Sequence, residues 1–145
     1  MTCDLLEAIF GDAASADARL SIFALPSRTT RRFECVSEAA RHVASLHADE
    51  DVYFGLGLVA GNPPGRGGAN DTAGIGCLWA DIDIAGPVHD GKALPPSMAD
   101  AIALVRSMPM APSALVDSGH GLHAYWLLSE FWRFDDAPDP PRAAA

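Results

Sequence analysis

Hydrophobic positions along the chain recur first at helical spacing and then at strand spacing, and each switch between the two marks an element boundary. Leu5, Leu6, Ile9 and Phe10 fall on one face of a helix over residues 2–10 that Gly11 ends. Residues 20–25 (LSIFAL) read as a buried strand stopped by Pro26 and Ser27, and residues 28–36 (RTTRRFECV) as a second strand. Ser37 suits the N-cap of a helix over residues 38–47, with Ala40, Val43, Ala44 and His47 along one face. Residues 51–60 (DVYFGLGLVA) form a strand in which Gly55 and Gly57 leave room for a close approach to the backbone, and a glycine-rich loop over 61–68 follows. Residues 75–84 (IGCLWADIDI) make the next strand. Ser97 caps a helix that runs to Met108, with Ala101, Ile102, Leu104 and Val105 as its packing residues. Residues 113–117 and 122–128 pair as a hairpin about Ser118, Gly119, His120 and Gly121. This order predicts an α/β (α+β) fold, a mixed and largely antiparallel sheet with packed helices. One folded domain covers residues 1–128, and residues 129–145, rich in Pro, Asp and Ala, are expected to be a flexible tail.

Composition narrows the functional classes. The 145 residues are 49% hydrophobic and 20% charged, which suits one soluble globular domain. Ten Lys and Arg against 19 Asp and Glu give a net charge of −9, too acidic for a protein that coats nucleic acid by charge alone. Cys3, Cys35 and Cys77 are odd in number and widely spaced, so neither a disulfide framework nor a cysteine zinc site is supported. The N-terminus, MTCDLLEAIFGD, lacks the positive start of a signal peptide, and no apolar run reaches a membrane span, so the expectation is a cytoplasmic protein with no membrane contact.

Two segments carry candidate chemistry. In Trp79-Ala80-Asp81-Ile82-Asp83, residues two apart on a strand share a face, so Asp81 and Asp83 project together while Ala80, Ile82 and Ile84 point into packing. Adjacent carboxylates repel unless a cation lies between them, and an all-oxygen pair suits Mg²⁺ or Mn²⁺. Taken alone, such a pair is more often a solvated strand end than a metal or catalytic site. In Asp117-Ser118-Gly119-His120-Gly121-Leu122-His123, the glycines allow a tight turn whose N–H groups can face an anion. Ser118 and His120 add phosphate donors there, and His123 emerges on one face of the strand that leaves it. Together the two segments divide the work of in-line nucleotidyl transfer, with carboxylates holding an ion that bridges phosphates and the turn meeting the triphosphate tail.

LWADIDI, followed about 35 residues on by PSALVDSGHGLHAYWLL, resembles the first two catalytic motifs of the archaeo-eukaryotic primase superfamily, in particular the primase-polymerases of phages and plasmids, including RepB-like DNA primases. VYFGLG and the loop before the D-x-D strand extend the resemblance over most of residues 5–128. It implies an RRM-like core with a small N-terminal α/β unit, and a nucleotidyltransferase that makes primers on single-stranded DNA from nucleoside triphosphates. Asp81 and Asp83 would be ligands of a two-metal Mg²⁺ or Mn²⁺ site, and Asp81, Asp83 and His123 the catalytic set. Ser118, Gly119, His120, Gly121 and His123, with Arg66 from the glycine loop, would meet nucleotide phosphate. A fused or associated replicative helicase is the implied partner. The family's third acidic residue and arginine-rich segment are not found before Ala145, and Asp135, Asp136 and Asp139 are not assigned to that role, so the chain is expected to be the front portion of such a domain.

Other residues have plainer readings. Arg28, Arg31 and Arg32 form a basic cluster suited to a template strand or to a solvated edge. Trp79, Tyr125 and Trp126 read as packing residues, with base stacking by Tyr125 the alternative. A rolling-circle nuclease of the HUH type would also use paired histidines and a metal, but it needs a nucleophilic tyrosine, normally on a helix, whereas Tyr53 and Tyr125 lie in strand-like segments. A third reading is a non-catalytic nucleotide- or metal-binding module.

Overall fold

The computed structural model describes residues 3–87 and 93–136. Among the described residues, helices α1 (Cys3–Phe10), α2 (Val36–Ser45) and α3 (Met98–Arg106) accompany seven strands. These are β1 (Ala18–Leu25), β2 (Thr29–Phe33), β3 (Asp51–Phe54), β4 (Gly57–Ala60), β5 (Thr72–Asp83), β6 (Ala114–Asp117) and β7 (Gly121–Arg133). Hydrogen bonding runs in the order β2-β1-β4-β5-β7-β6, with β3 also paired to β1. The pairings of β1 with β2, β3 and β4, of β4 with β5 and of β6 with β7 are antiparallel, as expected for a mixed α+β fold. The chain divides into two compact units, residues 1–76 with 128–145, and residues 77–127.

In the first unit β1 buries Ala18, Leu20, Ile22 and Ala24 on one face, with Ser21 also buried, and Leu6, Ile9 and Phe10 of α1 and Val36 and Ala39 of α2 are buried in the same unit. Val36 is 2% exposed, and its burial draws the start of α2 two residues ahead of the expected one. Cys35 therefore stands at the N-cap, and Ser37, expected there, lies inside the helix. The buried face is Val36 and Ala39 rather than Ala44 and His47, which are exposed.

The single strand expected over residues 51–60 is two. β3 and β4 both pair with β1, at Ile22–Leu25 and at Ala18–Arg19 respectively. Between them the Gly55 N–H donates to the Ser21 carbonyl at 2.9 Å, so β1 is followed through the break. What approaches the glycines is the chain itself: a Cβ at Gly57 would stand 2.5 Å from Thr72 Cγ2 and 3.1 Å from the Gly74 carbonyl. On β5, a Cβ at Gly74 would collide with the Trp132 carbonyl and one at Gly76 with the Ile9 carbonyl. The glycine loop is held by Arg32, whose guanidinium donates to Asn62 Oδ1 at 3.0 Å and to the carbonyls of Pro63 and Gly65. β7 continues to Arg133, so the boundary expected at Ser129 falls inside a strand. A 3₁₀ turn over Phe134–Asp136 follows, and the rest of the expected tail, with Asp139, lies outside the described residues.

In the second unit α3 packs through Ala101 and Val105, both fully buried, against Ile82 of β5 and Leu122 and Ala124 of β7. Ala80, Ile84, Met98, Ile102 and Trp126 border this cluster, whereas Leu104, expected in the packing face, is 46% exposed. Ser97 caps α3 as expected, accepting from the Asp100 N–H. No helix among the described residues is long and apolar enough to cross a membrane.

Because the Cβ of an alanine at position 76 would meet backbone rather than a movable side-chain end, Gly76→Ala should destabilise the fold by about 1–3 kcal/mol. Gly86→Ala, where the nearest atom is 4.0 Å away, should stay within about 0.5 kcal/mol of wild type. Urea midpoints of the two variants, measured side by side, check this.

Candidate functional site

The geometry of the second unit follows from one choice of faces. Burying Ile82 beneath α3, with Ala80 and Ile84 beside it, sends Cys77, Trp79, Asp81 and Asp83 to the other side of β5 by the two-residue alternation of a strand. The same alternation on β7, with Leu122, Ala124 and Trp126 toward α3, sends His123 and Tyr125 to that side as well. Two segments about 40 residues apart thus meet on one sheet face. His123 Nε2 stands 3.5 Å from Asp81 Oδ1, and their side chains keep 39% and 65% of their exposure. Asp83 is half-buried.

Tyr125 supplies the next link. Its hydroxyl lies 3.5 Å from His123 Nδ1, with the two rings edge to face at 6.4 Å. A carboxylate only accepts, so the Asp81 contact calls for a proton on Nε2, and in the neutral ring Nδ1 is then the acceptor for the phenol. Burial, with Cys77 and Asp81 close by, raises the Tyr125 phenol above the usual tyrosine value. Cys77 is fully buried at the foot of this face, and desolvation pushes its thiol up to about 11.

The turn before β7 is tied to β5 at two levels. The Ile84 N–H donates to the His120 carbonyl at 3.1 Å, and a Cβ at Gly121 would collide with the Ile82 carbonyl and lie 3.1 Å from the Asp83 Cα. Gly121 is thus required for strand approach whatever else it does. Gly119 takes a φ of +84°, which favours glycine. Two of the turn's N–H groups have partners in the segment itself: Ser118 donates to the Gly121 carbonyl at 3.0 Å, and Gly119 to Asp117 Oδ1 at 2.8 Å. An anion arriving here would meet the exposed side chains of Ser118 and His120.

Asp81, Asp83, His123 and the 118–121 turn therefore all belong to the second unit. Arg66 belongs to the first, where its guanidinium lies 5.0 Å above the ring of Phe23. Arg32 is committed to the glycine loop, and Arg28 adopts a φ of +57° at the β1–β2 turn. Both tyrosines are on strands, Tyr53 on β3 and Tyr125 on β7, and Tyr125 is 4% exposed, which withdraws it from base stacking and from nucleophilic attack on a DNA backbone. Trp126 is held by its indole N–H to the Met110 carbonyl at 3.0 Å. Trp79, by contrast, is not the packing residue its composition suggests, for it is 51% exposed. Its position two residues before Asp81 was the available signal, since that spacing puts it on the carboxylate face.

Among the described residues no three His, Cys, Asp or Glu side chains gather as a metal-holding group. Two strand carboxylates suit an ion that brings its own oxygens, as Mg²⁺ does when held by one or two carboxylates together with substrate phosphates and water. Comparison with protein-family models, with curated proteins and with solved structures gives no match.

The buried thiol gives two expected outcomes. At about pH 8 a thiol-specific disulfide reagent should modify Cys3 and Cys35 promptly and Cys77 only on unfolding. The Cys77 thiol is held neutral in the fold, whereas the unfolded chain ionises it from about 9.0, so stability should fall as pH rises from about 9 toward about 11. Cys77→Ala should flatten that part of the profile in denaturant titrations.

Proposed function

We propose that the chain carries the metal-ion and triphosphate site of a DNA primase-polymerase, a nucleotidyltransferase that extends or begins a primer on single-stranded template. The observation that supports this reading is the meeting of Asp81 and His123 at 3.5 Å on an exposed strand face, with Asp83 on the same strand two residues on and the Ser118–Gly121 turn hydrogen-bonded to the end of β5. A solvated strand end explains the two carboxylates but not a histidine presented to one of them from the neighbouring strand with its far nitrogen held by a buried phenol.

Asp81 and Asp83 would hold Mg²⁺ or Mn²⁺, which when bound supplies charge neutralisation for the triphosphate and lowers the pKa of the attacking 3′-hydroxyl. His123, oriented from behind by Tyr125, presents Nε2 beside the Asp81 carboxylate, where it can donate to a phosphate oxygen as negative charge builds on the leaving pyrophosphate. Ser118 and His120 lie at the open turn, suited to the distal phosphates. The strands fix these groups before substrate arrives, so little ordering is left for the reaction step.

Primer extension with Mn²⁺, a nucleoside triphosphate mixture and primed single-stranded DNA tests this reading. Asp81→Asn/Asp83→Asn should reduce incorporation at least a hundredfold, since charge stabilisation by a bound ion is of the order of several kcal/mol, and His123→Ala should reduce it as well. Unchanged incorporation in the double variant, with circular dichroism showing a folded chain, would overturn the proposal.

A further inference from the structure

We infer that Trp79 is a stacking platform for the base of the nucleoside triphosphate, an inference that rests on the cation–triphosphate reading of Asp81 and Asp83. Along β5 the alternation that places the two carboxylates on the open face places the indole there too, next in line before Asp81. Its neighbours on that face are deeply buried, Cys77 at 0% and Tyr125 at 4%, yet Trp79 keeps 51% of its surface exposed. Among the described residues its side chain makes no hydrogen bond or ring contact. Leaving so large an apolar surface in water is costly, at about 25 cal/mol per Å².

The occupant is set by the neighbouring chemistry. Strand rise puts Trp79 about 7 Å from Asp81 along β5, so a ligand whose phosphates meet an ion at Asp81 and Asp83 needs a flat apolar group one sugar away, as a nucleotide has. Stacking on an indole is tolerant of base identity because every base presents a π-face. Trp79 therefore adds affinity for the base without choosing it, which leaves the choice to pairing with a template.

The test compares two ligands that share phosphates and differ in the base. With Mn²⁺ present, calorimetry on the chain should show a nucleoside triphosphate binding more tightly than inorganic tripolyphosphate. Trp79→Ala should weaken the nucleotide about 5- to 150-fold and leave tripolyphosphate unchanged, and Trp79→Phe should restore most of the loss. In a Trp126→Phe/Trp132→Phe background, fluorescence of the remaining Trp79 should be quenched by each of the four nucleoside triphosphates and not by tripolyphosphate. Equal affinity of wild type for the two ligands, or equal weakening of both by Trp79→Ala, would overturn the stacking role while leaving the ion site standing. Failure of wild type to bind either ligand with Mn²⁺ would remove the ion site and the stacking role together.

Discussion

Everything of functional interest in the second unit depends on the burial of Ile82 beneath α3. A strand has only two faces, and once Ile82, with Ala80 and Ile84, is committed to Ala101 and Val105, Trp79, Asp81 and Asp83 have nowhere to go but the opposite face. A slip of one residue in β5 would bury both carboxylates against an apolar helix, at a cost far above what a small core can offset. The apolar packing thus sets the register, and the polar face is its consequence. On β7, Leu122 and Ala124 impose the same logic on His123 and Tyr125.

The polar face has a graded character. At its foot Cys77 and Tyr125 are desolvated, and both are pushed toward their neutral forms. His123 stands between that dry region and the exposed Asp81, touching the phenol with one nitrogen and the carboxylate with the other. Both contacts are at the outer limit of hydrogen bonding, so they orient the ring more than they stabilise the fold. A partly exposed contact of this kind is worth little to stability. It presents a histidine and a carboxylate on the same strand face as the exposed Trp79.

Glycines along the chain answer to backbone crowding. Gly57, Gly74 and Gly76 in the first unit and Gly121 in the second each lack room for a Cβ, in three of the four cases because another strand or helix presents a carbonyl in direct collision. At Gly121 the need for close strand approach accounts for the glycine by itself. Arg32 shows a related economy, for a residue whose charge suggested a template contact is spent on three acceptors of the glycine loop.

The fold class, the three helices, most strand positions and the pairing of Asp81 with Asp83 on one face were legible in the sequence, because they follow from periodicity, and periodicity is a local property. So was the cap at Ser97. Less legible were the start of α2, moved by the burial of Val36, the break at Gly55, made by two segments sharing β1, and the run of β7 to Arg133. Each of these depends on what lies across from the residue and not on its neighbours in the chain. The same holds for the site. Sequence alone determined that Asp81 and Asp83 share the face of β5 opposite Ile82, and that His123 leaves the face of Leu122 and Ala124 on β7. Only the tertiary structure decided that His123 would meet Asp81, that Tyr125 would be buried behind it and that Trp79 would stay in the open, because strand pairing and helix cover are long-range choices that alternation within one segment does not encode.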